Sequence, residues 1–112
     1  MEVTVKKQDE LVIIELEGRL DSNTAGSLEK ELIPLISTDT RKLLIDFSDL
    51  NYISSAGLRT LLLGAKKMQA AGGKLALCNM QEFIKEVFEL AGFTAIFKIF
   101  ASPEEAKRFL EE

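Results

Sequence analysis

The stretch NYISSAGLRT, residues 51–60, sets two adjacent serines between an apolar segment and what reads as the first turn of a helix. A hydroxyl in that place has two uses. It can cap the helix, accepting a hydrogen bond from an orphan backbone N–H for about 1 kcal/mol. It can also accept a phosphoryl group, because a phosphate at a helix N-terminus meets free N–H groups and the positive end of the helix dipole. Gly57 would let the backbone pass close to such a group with no side chain in the way. On residue chemistry alone, Ser54 and Ser55 are interchangeable, and both uses stay open.

Neither serine can be a nucleophile that the chain itself activates. The 112 residues contain no histidine, which removes Ser-His-Asp and Cys-His arrangements and histidine metal ligands together. No GxxxxGK[ST] loop and no GxGxxG after a strand is present. We therefore expect no enzymatic activity, no metal and no cofactor. Carboxylates are plentiful, but Glu29, Glu31, Glu104, Glu105, Glu111 and Glu112 read as solvated helix faces. Asp46 and Asp49 are different, because they lie where the strand formed by the apolar run KLLIDF is expected to end. In open parallel sheets, sites form at the carboxyl ends of strands. Cys78, inside KLALCNM, reads as an inert buried thiol on a strand.

Positioning these groups requires a sheet and covering helices. VTVK (3–6) and LVIIELEG (11–18) read as two strands of a hairpin separated by KQDE. Asp21 or Ser22 can cap a helix with Ala25, Leu28, Leu32 and Leu35 at helical spacing, its last turn disturbed by Pro34. KLLIDF (42–47) is apolar without alternation, as for a strand covered on both faces. Leu58, Leu61, Leu62, Ala65 and Met68 then form a helix face that Gly72–Gly73 ends. KLALCNM (74–80) is a strand, and QEFIKEVFELAG (81–92) a helix burying Ile84, Val87, Phe88 and Ala91, with Gly92 as its stop. IFKIF (96–100) is a short strand. SPEEAKRFLEE opens a last helix with a capping box, Ser102 as N-cap, Pro103 first and Glu105 the reciprocal partner. The resulting order is ββαβαβαβα: a single α/β domain, residues 1–112, with four helices on a mostly parallel five-stranded sheet.

Composition fits this reading. The length is that of one domain and the apolar content is 46%. A net charge of −4 with pI near 5 argues against direct nucleic-acid binding. No apolar run is long enough to cross a bilayer, MEVTVKKQDE lacks a signal-peptide core, and a lone cysteine suits a reducing compartment. A cytoplasmic protein with no membrane insertion is expected.

The long segment LLIDFSDLNYISSAGLRTLL resembles the signature of the STAS domain family, the bacterial anti-sigma factor antagonists. Its pattern is an apolar strand, Asp-x-Ser (here Asp46 and Ser48), and then a serine pair or Asp-Ser before a small residue and Gly-Leu. EGRLDSNTA (17–25) is similar to the family's earlier segment leading into the first helix. The resemblance covers the whole chain and implies the STAS fold and a role in transcription regulation by partner switching. It implies an anti-sigma factor serine/threonine kinase as partner and a phosphoserine phosphatase as a second one. The serine directly before the small residue and Gly-Leu is the family's phosphoacceptor, and here that is Ser55, followed by Ala56 and Gly57. Asp21 and Ser54 match neighbouring positions of the same loop region. Many members carry aspartate where this chain has Ser54, so Ser54 is a competing acceptor.

A switch follows from these expectations. Unmodified, residues 51–57 and the next helix would offer a neutral docking surface, with Arg59, Leu63, Lys66 and Lys67 turned away from the core. Phosphorylation would place negative charge near Asp21, Asp46 and Asp49 and disfavour docking. Two other readings of the chain exist. A receiver-like aspartate phosphorelay would use Asp46, but LVIIELEGRLD ends without an acidic pair and Lys98 falls inside a strand. A STAS module docking on a transporter ATPase, or sensing a small ligand or nucleotide, would use the same fold.

Overall fold

The computed structural model describes residues 1–37 and 40–112. Strands β1 (Glu2–Gln8) and β2 (Leu11–Leu20) form an antiparallel hairpin. Its two-residue turn places Asp9 at φ 56°, a conformation aspartate tolerates better than most residues. The chain continues through α1 (Ala25–Ser37), β3 (Lys42–Ile53), α2 (Ser55–Ala70), β4 (Lys74–Cys78) and α3 (Glu82–Leu90). A 3-10 turn at Phe93–Ala95, β5 (Lys98–Phe100) and α4 (Pro103–Glu111) complete it. The sheet order is β1-β2-β3-β4-β5, with every pairing after the hairpin parallel.

Alternate residues of the central strands go to two unequal cores. Val12, Ile14, Leu43, Ile45 and Leu77 pack with Leu28 and Leu32 of α1, Leu61 of α2, and Ile84 and Phe88 of α3. Ile13, Leu44, Ala76 and Cys78 face the other way, under Ala106 and Leu110 of α4. This two-sided burial is why β2 and β3 read as unbroken apolar runs. β1 is covered on one side only: Val3 and Val5 pack on the large core, while Glu2, Thr4 and Lys6 are exposed.

Cys78 is fully buried, and burial pushes its thiol up to about 12, with the Asp46 charge acting in the same direction. Thiolate is the reactive species. Native protein at pH 8 is therefore expected to resist iodoacetamide and to be alkylated once unfolded in urea, which mass spectrometry would read.

Several local expectations are corrected. The third strand does not end at Phe47 but runs to Ile53, held along its far half by β2 alone. Two register shifts against β2, between Glu15 and Glu17 and between Gly18 and Arg19, accompany this extension. The first helix starts at Ala25, so Asp21 and Ser22 lie in the turn before it. Its buried face continues through Ile36, with Leu35 only half-buried, and the helix runs three residues past Pro34. Ala91 is exposed at the C-terminus of α3, because Gly92 at φ 76° turns the chain away immediately after it. The fifth strand is shorter than IFKIF, since Ile96 and Phe97 still donate to Phe93 in the preceding turn.

Candidate functional site

The β3–α2 junction separates the two serines. Ser54 is the N-cap of α2: its backbone is extended, and its hydroxyl accepts from the Gly57 N–H at 3.3 Å. Its own N–H donates to the Leu20 carbonyl at 2.9 Å, which fastens the cap to the end of β2. Ser55 is the first residue of the helix and is exposed. No acidic residue occupies the first turn of α2, so the positive end of its dipole is uncompensated there. Cap and exposed hydroxyl are thus both present, one on each serine.

Gly57 is buried for a different reason from the one expected. A Cβ there would lie 2.7 Å from Leu20 Cγ, 3.0 Å from the Leu20 carbonyl oxygen and 3.1 Å from Ile53 Cγ1. The missing side chain lets α2 sit down on the ends of β2 and β3. Gly57→Ala is therefore expected to cost about 1–3 kcal/mol through overpacking. Gly26→Ala, where a Cβ meets nothing within 4 Å, should be neutral or stabilising by up to about 1 kcal/mol. Urea midpoints of the two variants would check the pair.

Beside the cap lies the loop after β2. The Asp21 carboxylate accepts from the Asn23 N–H at 2.9 Å, while the Thr24 hydroxyl accepts from the Asp21 N–H and donates to the Arg19 carbonyl at 2.8 Å. The Asn23 N–H, then Thr24 and the Arg19 guanidinium 3.6 Å away, hold the Asp21 carboxyl below the usual carboxylate range. What this loop gains from the ionised form is present above that usual range and is lost as pH falls through the lowered value. Arg19 also lies over the Tyr52 ring, 4.1 Å from its centroid, linking β2 to β3 just before the serines.

Asp46, Ser48 and Asp49 belong elsewhere. Asp46 stands seven positions before Ile53, about 23 Å at a strand's rise. Its Oδ1 accepts from the Ser48 N–H at 2.9 Å and from Asn79 Nδ2 at 3.3 Å. Gln81 Nε2 reaches the Ser48 and Leu50 carbonyls at 3.4 and 3.0 Å. Asn79 and Gln81 thus serve the edge of β3 where β4 has ended. Asp49 sits opposite Glu17, whose carboxyl is pushed up first by its neighbour Glu2 and also by Asp49. The placement of these acids beside Ser55 is corrected: the long β3 carries them away from it, beyond a screening length of about 8 Å. Among the described residues no group of three or more His, Cys, Asp or Glu side chains could hold a metal ion. No described helix is long and apolar enough to cross a membrane.

The structure therefore gathers Asp21, Ser22, Ser54, Ser55, Ala56 and Gly57, with Arg59 exposed and Leu63 half-buried further along α2. Arg19, Tyr52 and Thr24 join them although the sequence did not single them out. The family model of the STAS domain matches residues 2–106. The chain belongs to the STAS domain family. Within it, the candidate anti-sigma factor antagonist BtrV of Bordetella bronchiseptica is 41% identical over 106 residues, 95% of this chain and 91% of BtrV. A solved structure of a candidate anti-sigma factor antagonist from Thermotoga maritima is 23% identical, with a TM-score of 0.93 over 98% of this chain and 95% of its own. The Bacillus cell fate determinant SpoIIAA, solved in its phosphorylated form, is 20% identical, with a TM-score of 0.75 over 96% of this chain and 99% of its own. Its 41% identity to BtrV groups this STAS domain with the anti-sigma factor antagonists, and its five-stranded sheet with four helices is the fold of the two solved structures.

Proposed function

We propose that this STAS domain is a partner-switching regulator of transcription whose phosphoacceptor is Ser55. Unphosphorylated, it binds an anti-sigma factor that is also a serine kinase, and so frees a sigma factor. The observation that carries this reading is the division of labour at the helix start: the Ser54 hydroxyl is committed to the Gly57 N–H, whereas Ser55 is exposed. A kinase can reach Ser55 without opening the cap.

The local chemistry turns phosphorylation into release. A phosphate adds about 1.5–2 negative charges. On Ser55 it lies at the positive end of α2 and one helical turn before Arg59, the i,i+4 spacing at which opposite charges meet. Arg59 is drawn into an internal pair and a hydrated dianion stands on the docking surface. Both changes disfavour a partner that bound a neutral hydroxyl, and neither asks the fold to rearrange. Asp21, held ionised nearby, adds to the repulsion. A phosphoserine phosphatase would reset the switch.

Incubation with ATP and the cognate anti-sigma factor kinase, read by mass spectrometry, tests the assignment. One phosphate is expected, on Ser55, retained in Ser54→Ala and lost in Ser55→Ala. A phosphate on Ser54, or none on either serine, would overturn it.

A further inference from the structure

Among the described residues, three of the four large apolar side chains left exposed fall in one short segment: Phe83 at 46%, Leu90 at 89% and Ile96 at 51%. On α3, Phe83 and Leu90 are exposed at i, i+7 spacing on either side of Val87, which is half-buried and packs at the edge of the large core beside Ile84 and Phe88. This exposed face has an acidic border. At 100° per residue Glu86 lies directly beside Leu90, with Glu82 and Glu89 next around the helix, and all three are exposed. None of the three has an ion pair among the described residues.

Ile96 belongs to a second surface. With Leu62 of α2, Leu75 of β4 and Phe109 of α4 it lines an open groove of about 500 Å³. The groove exists because β5 begins at Lys98, level with Ala76, and leaves the start of β4 uncovered. Its charged lining residues are all lysines: Lys66, Lys74 and Lys98. Lys74 is engaged with the Phe109 and Glu112 carbonyls. Lys66 and Lys98 are exposed and without a carboxylate partner among the described residues.

One surface is an apolar ridge edged with glutamates, and the other an apolar groove edged with lysines. A short segment joins them, running from Leu90 at the end of α3 to Ile96 in the groove. We infer that a second copy of this chain covers them: α3 of each protomer lies in the α2–β4–β5 groove of the other. Adjacent complementary patches permit a two-fold arrangement in which both contacts form at once, so the assembly closes as a dimer. The alternative of α3 against α3 would oppose glutamate borders, at a cost of like-charge juxtaposition. Ser55 is not part of the contact, and the inference does not rest on its phosphorylation.

Sedimentation equilibrium of the whole chain tests it through a charge exchange. Wild type at high micromolar concentration and low salt is expected at twice the 12.5 kDa monomer mass, shifting towards monomer in 1 M NaCl, where screening is short-ranged. Glu86→Lys with Glu89→Lys sets lysine against lysine, and Lys66→Glu with Lys98→Glu sets glutamate against glutamate. Each double variant alone should associate at least tenfold more weakly. Glu82 is left in place because lysine in the first turn of α3 would itself weaken the helix. Mixed in equal amounts, the two variants regain both complementary contacts, and the dimer should return. Circular dichroism confirms that each variant is folded. A wild-type monomer at all concentrations, variants that associate like wild type, or a mixture that stays monomeric would each overturn the inference.

Discussion

Ser55→Asp is expected to weaken binding to the anti-sigma factor roughly a hundredfold, which corresponds to about 2.7 kcal/mol. The effect comes from charge. Ser55 presents a small neutral hydroxyl at the exposed start of α2, and a partner complementary to it has to desolvate or face whatever replaces it. A carboxylate there meets like-charge repulsion or unpaired burial, each costing several kcal/mol at an interface. Ser55→Asn has nearly the same size without charge and should bind within a few-fold of wild type, as should Ser55→Ala. True phosphorylation carries more charge than aspartate and should weaken the complex further. Isothermal titration calorimetry separates these cases. If Ser55→Asp and wild type bind alike, the switch as proposed is wrong.

The largest stability loss is expected at Phe88, which is far from Ser55 in sequence but central to the core. Its ring makes edge contacts with Phe47 at 5.9 Å, Phe93 at 6.1 Å and Phe97 at 5.7 Å between centroids. It is fully buried. These contacts tie α3 to β3 and to the turn that starts β5. Truncating a buried phenylalanine costs about 3–5 kcal/mol, the transfer and cavity terms combined. Domains of this size hold only about 5–15 kcal/mol in reserve. Phe88→Ala should lower the urea midpoint sharply with little change in slope, and lower the melting temperature by roughly 15 °C or more. A loss below about 1 kcal/mol would mean that the cavity collapses and that the aromatic cluster is not the hub described.

Burial on both faces made the inner strands legible. Residues 11–16 and 42–47 are almost continuously apolar because α1–α3 cover one side and α4 the other. Helices with glycine stops and the Ser102 cap were legible for similarly local reasons, and the Ser102 hydroxyl accepts from the Glu105 N–H as the capping pattern requires. The second half of β3 was not legible. Phe47, Leu50 and Ile53 are buried every third residue, which fits neither a strand nor a helix, because register shifts against β2 break the alternation. Read as a loop, that segment brought Asp46 and Asp49 up to the serines; read as a strand, it takes them away. Thr24, Asn79 and Gln81 escaped notice because their partners are set by chain geometry and not by a pattern of residue types. The assignment of Ser54 to the cap rested on nothing in the spacing. It needed the position of the Gly57 N–H.

The order of strands in the sheet has a consequence for how the molecule is made. Each strand lies beside the one that precedes it in the chain, with no strand inserted later between two earlier ones. Parallel pairing normally folds slowly, because distant segments must meet before their contacts repay the loop entropy. Here every such meeting spans one intervening helix. As the chain emerges from the ribosome, each new βα unit finds its docking edge already formed, so the sheet can grow by addition at one side. The last pieces to arrive are β5 and α4, and until they do, Ile13, Leu44, Ala76 and Cys78 remain uncovered. This face of the sheet therefore stays adhesive until α4 docks on it.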